Sequence, residues 1–414
     1  KGKNGNGDDK KVVSDDDILV STGLINLGNT CYMNSQLQCA FHIPQIRHLL
    51  QMEIDKSHNS YANNPPLKSL HEIFDLMSLA AAAADPTTVN NQKKKKHKHE
   101  HKQIHPFPST SHTIPSTKTL CRTLGVNPFE QQDSQEFWKL LLPVLDCPSL
   151  TNLYKGYYET YITALDGTLR ERRKTEPFLD LSLDISRSSS VLESLHDFFQ
   201  QPELLSTQQN NGWKPNPPKH DKERVDALKG QSITTQHLPS ILQLHLMRFA
   251  YDINYNTMKK INDRFTFPKE LDLSTVCIHD TKETSTEQET TNTQNPTIYD
   301  LQAVVVHAGQ YGSGHYYSYV RPNISTNTWY RFDDDRVTKV SYKDVRDDAF
   351  GGAVNHRNAS SQQSTKYTCF WKNILNPLSR RRHGSFGWGG KSSNAYMLQY
   401  VKRQDIPKLY LPQV

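Results

Sequence analysis

The chain has 414 residues, 35% of them apolar and 49 of them lysine or arginine against 43 aspartate or glutamate; its length suits one large domain with insertions or two domains, with part of it polar insertion rather than core. The net charge of +6 is gathered in KKKKHKHEHK at 93–102 and in the arginines at 380–382, so it does not single out a nucleic acid as partner. The longest apolar stretch, Leu79 to Ala84, is too short to cross a bilayer, and six cysteines without a CxxC pair read as free thiols of a reducing compartment, which excludes membrane-spanning and disulfide-stapled classes and gives a soluble intracellular protein as the expectation.

Residues 1–20 hold little to bury and read as a disordered leader. After a turn at Gly23 and Gly28, Met33, Leu37, Ala40 and Phe41 form one apolar helical face from Cys31 onward. Leu67 to Ala84 reads as a second helix. Asp85 to Thr119, rich in Lys, His, Pro, Ser and Thr, reads as a mobile insertion. Phe137, Leu140, Leu141, Val144 and Leu145 give a further helical pattern within 120–146, with Pro143 a kink.

From about residue 154 the pattern changes to strands, at Tyr157–Leu165, Phe178–Ile185, 241–249, 301–307, 315–320 and 328–334. A helical stretch, Val191–Phe199, interrupts them. Insertions are expected at 207–224, 280–296, 355–366 and 379–393, and a C-terminal extension at 404–414. Helices first and antiparallel-looking strands later give the α+β class.

Three segments carry chemistry. In GLINLGNTCYMNSQLQ, Asn29 or Thr30 as N-cap places Cys31 in the first turn of a helix, where unpaired N–H groups and aligned peptide dipoles favour a thiolate. The plain alternative is a buried cysteine packing as a small hydrophobe, the only reading for Cys39, Cys121 and Cys147. In VHAGQYGSGHYYSYV, His315 enters an aromatic strand after a Gly-Ser-Gly turn; such a histidine is also a common structural residue. TWYRFDDD follows one short hairpin later, so Asp333 comes within reach of His315 and would fix its tautomer and stabilise its imidazolium. The alternative there is a solvated acidic turn.

Together with QQDSQEFWKLLLPVLD at 131–146, the LPSILQLHLMRFAYD and KKINDRFTFPKELDL segments within 238–273, and NAYMLQY at 394–400, these motifs resemble, in order and spacing, the ubiquitin-specific protease family, most closely its HAUSP-like branch. The resemblance spans about 22–403. It implies a papain-like cysteine protease fold with a helical thumb (about 22–150), a β palm and β fingers (about 151–403). It also implies a deubiquitinase with Cys31 as nucleophile, His315 as base and Asp333 as third member. Asp334 would share that work, and Asn26 would donate to the oxyanion; its alternative is a turn residue.

The family's substrate is the ubiquitin C-terminus, an extended tail with arginines before two glycines. By resemblance Asp133 and Glu136, three apart on a helical face, would pair with those arginines, although both also suit a helix N-terminus. His307 and Tyr316 match positions lining the tail channel, and both also suit plain strand packing.

One departure concerns metal. Many members hold a finger zinc on two CxxC pairs, but the corresponding stretches here, 161–167 and 217–225, contain no cysteine, and His220 with Asp221 cannot replace four thiolates. No metal and no cofactor are expected, and HKHEH at 97–101 reads as a solvated charge run. The expected partners are ubiquitin and ubiquitinated proteins, not nucleic acid or membrane, for a monomeric catalytic domain in the cytoplasm, the nucleus or both. The rivals are a silent ubiquitin-binding scaffold, disfavoured by a complete triad, and an isopeptidase for another ubiquitin-like modifier.

Overall fold

Every residue of the helix α1, Cys31–Phe41, is buried, including Asn34, Ser35, Gln36 and Gln38. The computed structural model describes residues 20–56, 64–84, 114–216, 223–253, 255–278, 296–352 and 392–410. Around α1 lie α2 (Pro44–Lys56), α3 (Pro65–Ala84), α4 (Lys118–Leu124), α5 (Ser134–Val144) and α6 (Pro148–Tyr154). The single apolar face expected for α1 is therefore too small a claim, because this helix has protein on all sides and its polar residues are buried with it.

The rest of the described chain is mainly strand. A four-stranded sheet runs in the order β2-β1-β5-β4, with β1 Gly156–Ala164, β2 Glu171–Phe178, β4 Glu203–Leu205 and β5 Ala227–Ser232. An eight-stranded sheet runs β13-β12-β11-β10-β14-β6-β3, with β9 also paired to β10. Its strands are β3 Leu181–Leu183, β6 Ile241–Leu246, β9 Glu270–Asp272, β10 Ile298–Gln310, β11 Ser313–Val320, β12 Trp329–Asp333, β13 Arg336–Val340 and β14 Ser393–Lys402. A separate ribbon pairs β7 (Phe249–Asp252) with β8 (Thr257–Lys260). Helices first and sheets after is the α+β arrangement, matching the thumb, fingers and palm of the expected fold.

The large sheet is buried on both faces, which explains why its strands read as apolar runs rather than clean alternations. Along β10, Ala303 and Val305 join the core shared with the thumb helices. Leu301, Val304 and Val306 point the other way, into a second core with α7 (Val191–Gln200) and α8 (Tyr342–Ala349).

Several elements depart from the sequence reading. The single pattern over 120–146 is two helices joined by a turn, and on α5 Leu140 and Val144 are exposed while Phe137 and Leu141 are buried. The strand expected over Phe178–Ile185 is the end of β2 followed by the short β3, which pairs parallel to β6. β2 itself, ERRKTEPF, was not legible: it is a sheet-edge strand whose charges face water, so it buries too little for a pattern. The insertion expected to run through Thr119 stops short of it, since Ser116 bridges Ile25 and α4 starts at Lys118. In the loop expected at 207–224, Trp213 bridges Val225. The C-terminal stretch is not a mere extension, for Leu409 of α9 (Ile406–Tyr410) is fully buried in the thumb core. The insertions expected at 355–366 and most of 379–393 lie outside the described residues, as do the leader 1–19 and most of 280–296.

A chain of buried amides seats α1 on the sheet. Gln243 Nε2 donates to Gln399 Oε1 at 2.9 Å, and Gln399 Nε2 donates to Gln302 Oε1 at 2.8 Å and to the Cys39 carbonyl at 3.3 Å. Side chains of β14 and β10 thus reach the C-terminal part of the helix that begins at Cys31, and Gln243 of β6 backs them. Truncating the middle member leaves buried polar groups unpaired, at about 1–3 kcal/mol each. Gln399→Ala is therefore expected to lower the unfolding free energy by about 2 kcal/mol or more, read from urea denaturation followed by tryptophan fluorescence; a change within about 0.5 kcal/mol would contradict this seating.

Candidate active site

Cys31 is the first residue of α1, and Thr30, one of the two candidates the sequence offered, is its N-cap. The cap side chain, however, does not bond into the helix. Thr30 Oγ1 accepts from the Leu27 N–H at 3.0 Å instead. The turn is closed by Asn26, whose Oδ1 accepts from the N–H groups of Gly28 at 3.0 Å and Thr30 at 3.1 Å. The helix N-terminus consequently presents its free N–H groups and positive dipole end beside the thiol.

The second wall of the site is β11. The Tyr316 N–H points at Cys31 Sγ, 3.5 Å away. His315 precedes it, and its Nε2 donates to Asp333 Oδ1 at 2.6 Å, so Nδ1 is the nitrogen left for the thiol. Burial alone would lower the His315 pKa, but hydrogen bonding and charge from Asp333 and Cys31 outweigh it and raise it to about 10. For Asp333 burial likewise opposes the net shift, and His315 with Arg331 hold its pKa below the ordinary carboxylate value. Arg331 Nη2 donates to Asp333 Oδ2 at 2.8 Å. The three residues named from sequence as nucleophile, base and orienting carboxylate are thus brought together.

Asp334 bonds differently from Asp333. It lies 3.9 Å from His315 Nε2 and is held in a left-handed backbone conformation, φ 53°. Its Oδ2 accepts from Asn26 Nδ2 at 2.8 Å and its Oδ1 from Asn34 Nδ2 at 2.9 Å, while its carbonyl accepts from the Leu24 N–H at 2.8 Å. Burial is the main reason its pKa is raised, against those amide bonds. Gly23 is required beside it, because a Cβ there would sit 2.4 Å from the Asp334 carbonyl oxygen. Asn26 therefore spends one of its two amide N–H bonds on Asp334, which leaves the other to donate elsewhere.

The expected tail-binding residues gather between α5 and the large sheet. His307 and Tyr316 meet edge to face with ring centroids 4.8 Å apart, and Tyr316 packs on Tyr396 in the same way at 5.5 Å. The Tyr396 hydroxyl donates to Asp133. Asp133 is also the N-cap of α5, accepting from the N–H groups of Gln135 at 2.7 Å and Glu136 at 3.2 Å. The capping role is thus present, and Glu136 is the more exposed carboxylate of the two. Burial, then the charges of Lys260 and His315, push the His307 pKa down to about 3, so its ring is neutral. Opposite, Gln131 exchanges two hydrogen bonds with Gly314, at 2.8 and 3.2 Å. A cavity of about 410 Å³ follows α5, lined by Tyr32, Glu130, Asp133, Glu136, Leu140 and Val144 among others, which accounts for the exposure of the last two.

Among the described residues, the one group of His, Cys, Asp and Glu close enough to hold an ion is His315, Asp333 and Asp334. Their carboxylate oxygens are already engaged by His315, Arg331, Asn26 and Asn34. His220, Asp221 and the 97–101 run lie outside the described residues. No described helix is long and apolar enough to cross a membrane. The described cysteines are free and buried, and burial raises the pKa of Cys39 to about 12 and of Cys277 to about 11.

Four contributors went unread in the sequence: Asn34, Gln131, Arg331 and Tyr396. Arg331 had a signal, since residues two apart in a strand share a face and it precedes Asp333 by two. Asn34 had a weaker one, three residues after Cys31 and so on its side of the helix. Gln131 and Tyr396 had none beyond belonging to quoted motifs. Because Asn34 ties α1 to the part-buried Asp334 carboxylate, Asn34→Ala is expected to lower the unfolding free energy by about 1–3 kcal/mol in urea denaturation. A variant as stable as wild type would show that the tie is idle.

Comparison with known proteins places this geometry. The family described as ubiquitin carboxyl-terminal hydrolase matches residues 22–400. Ubiquitin carboxyl-terminal hydrolase 15 of Saccharomyces cerevisiae is 30% identical over 401 residues, covering 94% of this chain and 28% of that protein. Ubiquitin C-terminal hydrolase 12 of Arabidopsis thaliana is 29% identical, covering 94% of this chain and 30% of that protein. Ubiquitin carboxyl-terminal hydrolase 8 of Saccharomyces cerevisiae is 28% identical, covering 78% of this chain and 68% of that protein. The chain thus spans less than a third of the first two relatives. A match across the thumb, both sheets and every motif of the site makes the chain a member of the ubiquitin carboxyl-terminal hydrolase family.

Proposed function

We propose that the chain is a thiol-dependent deubiquitinase that cleaves the isopeptide or peptide bond after the C-terminal glycine of ubiquitin, on conjugated proteins or polyubiquitin. The observation that carries this is the meeting of Cys31, at a bare helix N-terminus, with the Asp333-paired imidazole of His315. With the proton of the thiol held on His315, the sulfur attacks the carbonyl of the terminal glycine. The oxyanion receives the remaining Asn26 N–H and the backbone N–H of Cys31, a contribution of order 3 kcal/mol to the barrier. As the tetrahedral species collapses, His315 gives its proton to the departing lysine amine. Water, deprotonated by the same imidazole, then hydrolyses the thioester and restores the thiol.

The tail is read as lying between α5 and the large sheet, over His307 and Tyr316, with its arginines facing Asp133 and Glu136. Glu136 is the freer of the two, since Asp133 caps α5 and accepts from Tyr396. We read the chain as a monomeric catalytic domain that needs no metal or cofactor, acting on ubiquitin and ubiquitinated proteins in the cytoplasm, the nucleus or both.

Reaction with a ubiquitin derivative carrying a C-terminal electrophile tests the reading. Wild type is expected to form a covalent adduct and Cys31→Ala none, while His315→Ala loses turnover but keeps its ubiquitin affinity within a few-fold. Tight ubiquitin binding without any adduct would support a silent scaffold, and an adduct only with another modifier would move the substrate class. Glu136→Ala is expected to raise KM several-fold with little loss of stability. Asp133→Ala adds the loss of a helix cap, about 1 kcal/mol in a denaturation experiment. Equal KM in wild type and both variants would take the tail off this face.

A further inference from the structure

Arg331 has no place in the reaction as derived above, yet it touches its third member. It stands two residues before Asp333 on the same face of β12 and donates from Nη2 to Asp333 Oδ2 at 2.8 Å, while His315 takes Oδ1 at 2.6 Å. The guanidinium lies over the Tyr317 ring, 4.1 Å from its centroid. That ring is itself fixed, because its hydroxyl donates to Asp348 of α8, which also accepts from Tyr319 at 3.0 Å and from Ser393 at 2.8 Å. A carboxylate with one partner rotates about its last bond; one gripped on both oxygens by groups that are themselves packed does not.

We propose that Arg331 is a positioning residue of the reaction: it clamps Asp333 from the side opposite the imidazole and, by sharing the carboxylate's charge, tempers how firmly that carboxylate holds the proton on His315. The inference rests on the reading of Cys31, His315 and Asp333 as the reacting set. The charged and titratable groups around this cluster are Cys31 on α1, His307 on β10, Tyr317 and Tyr319 on β11, Asp334 after β12, Arg336 on β13 and Asp348 on α8. Of these, Asp334 is turned to Asn26 and Asn34, and Asp348 to the two tyrosines and Ser393. Arg336, the cross-strand partner of Asp333, is exposed. That leaves Arg331, besides the His315 imidazolium itself, as the cation in hydrogen-bond contact with Asp333 among the described residues.

The sign follows from the charges. With Arg331 removed, Asp333 serves the imidazolium alone and a nearby positive charge disappears, so the imidazolium proton is held more tightly. His315, whose pKa is already raised to about 10, then loses its proton at still higher pH. The test is the pH profile of hydrolysis of a ubiquitin C-terminal fluorogenic amide. Arg331→Gln is expected to lower kcat several-fold, leave KM unchanged and move the alkaline limb upward by about half a pH unit, the size expected of one charge at a partly exposed site. Arg331→Lys keeps the charge but not the fork, so its kcat falls while its alkaline limb stays with wild type. A Gln profile that overlays wild type after scaling overturns the proposal. Should the Gln variant not fold, the Lys variant decides: a kcat equal to wild type removes the clamp. A wild-type chain that does not cleave the amide at all defeats the proposed function instead; nitrogen shifts of the His315 ring, followed by NMR against pH in wild type and Arg331→Gln, then still read the clamp, with superimposable titrations counting against it.

Discussion

The site depends on one act of packing, the burial of α1 against the large sheet. Its first residue carries the sulfur, and the strand beneath it carries the imidazole from nearly three hundred residues further along. Neither group is activated by its own neighbours in sequence. The thiol stands at the helix end, and the His315 imidazole meets it there because β11 runs under that end. A helix exposed on one side could shift by a rotamer's length and lose the pair; one closed on every side, with amides from β14 and β10 bonded to its far part, has little room to do so.

The two neighbouring aspartates divide the remaining work by direction. Asp333 faces the imidazole and is kept anionic by two cationic partners. Asp334, turned by its left-handed backbone, faces away toward the loop before α1 and orients the amide of Asn26. One carboxylate thus bonds the His315 imidazole and the other the Asn26 amide. Since Asn34 of α1 also reaches Asp334, the helix that begins at Cys31, the Asn26 loop and the acidic turn are tied together.

Much of this was legible because the chemistry demands particular residues at particular spacings. Cys31 after a capping turn, His315 at the start of an aromatic strand and Asp333 at the end of the next strand could be named, and their mutual approach follows from adjacent strands. Long periodic elements such as α1, α3, α7 and β10 could also be placed. What escaped had physical reasons. β2 is an edge strand whose side chains are solvated, so no burial pattern betrays it. α2, α4 and α6 are short or mixed in polarity, and their helicity comes from packing rather than from a strong periodic stripe. Leu140 and Val144 fit a helical face by spacing yet line a cavity, because spacing cannot distinguish a core from a groove. Asn34 and Arg331 were missed for a related reason: each holds one of the two aspartates, and neither residue type marks a reacting group in a motif.

The proposed function turns on His315, whose pKa Asp333 and Cys31 raise against burial, holding the proton of the Cys31 thiol. Thiolate absorbance in the ultraviolet, compared at neutral pH between wild type, Cys31→Ser and His315→Ala, measures this most directly. The account requires wild type to carry about one thiolate more than Cys31→Ser, with that signal largely lost when the imidazole is removed. Identical spectra for wild type and Cys31→Ser would mean that the sulfur rests as a thiol, and the ion pair described here would not exist.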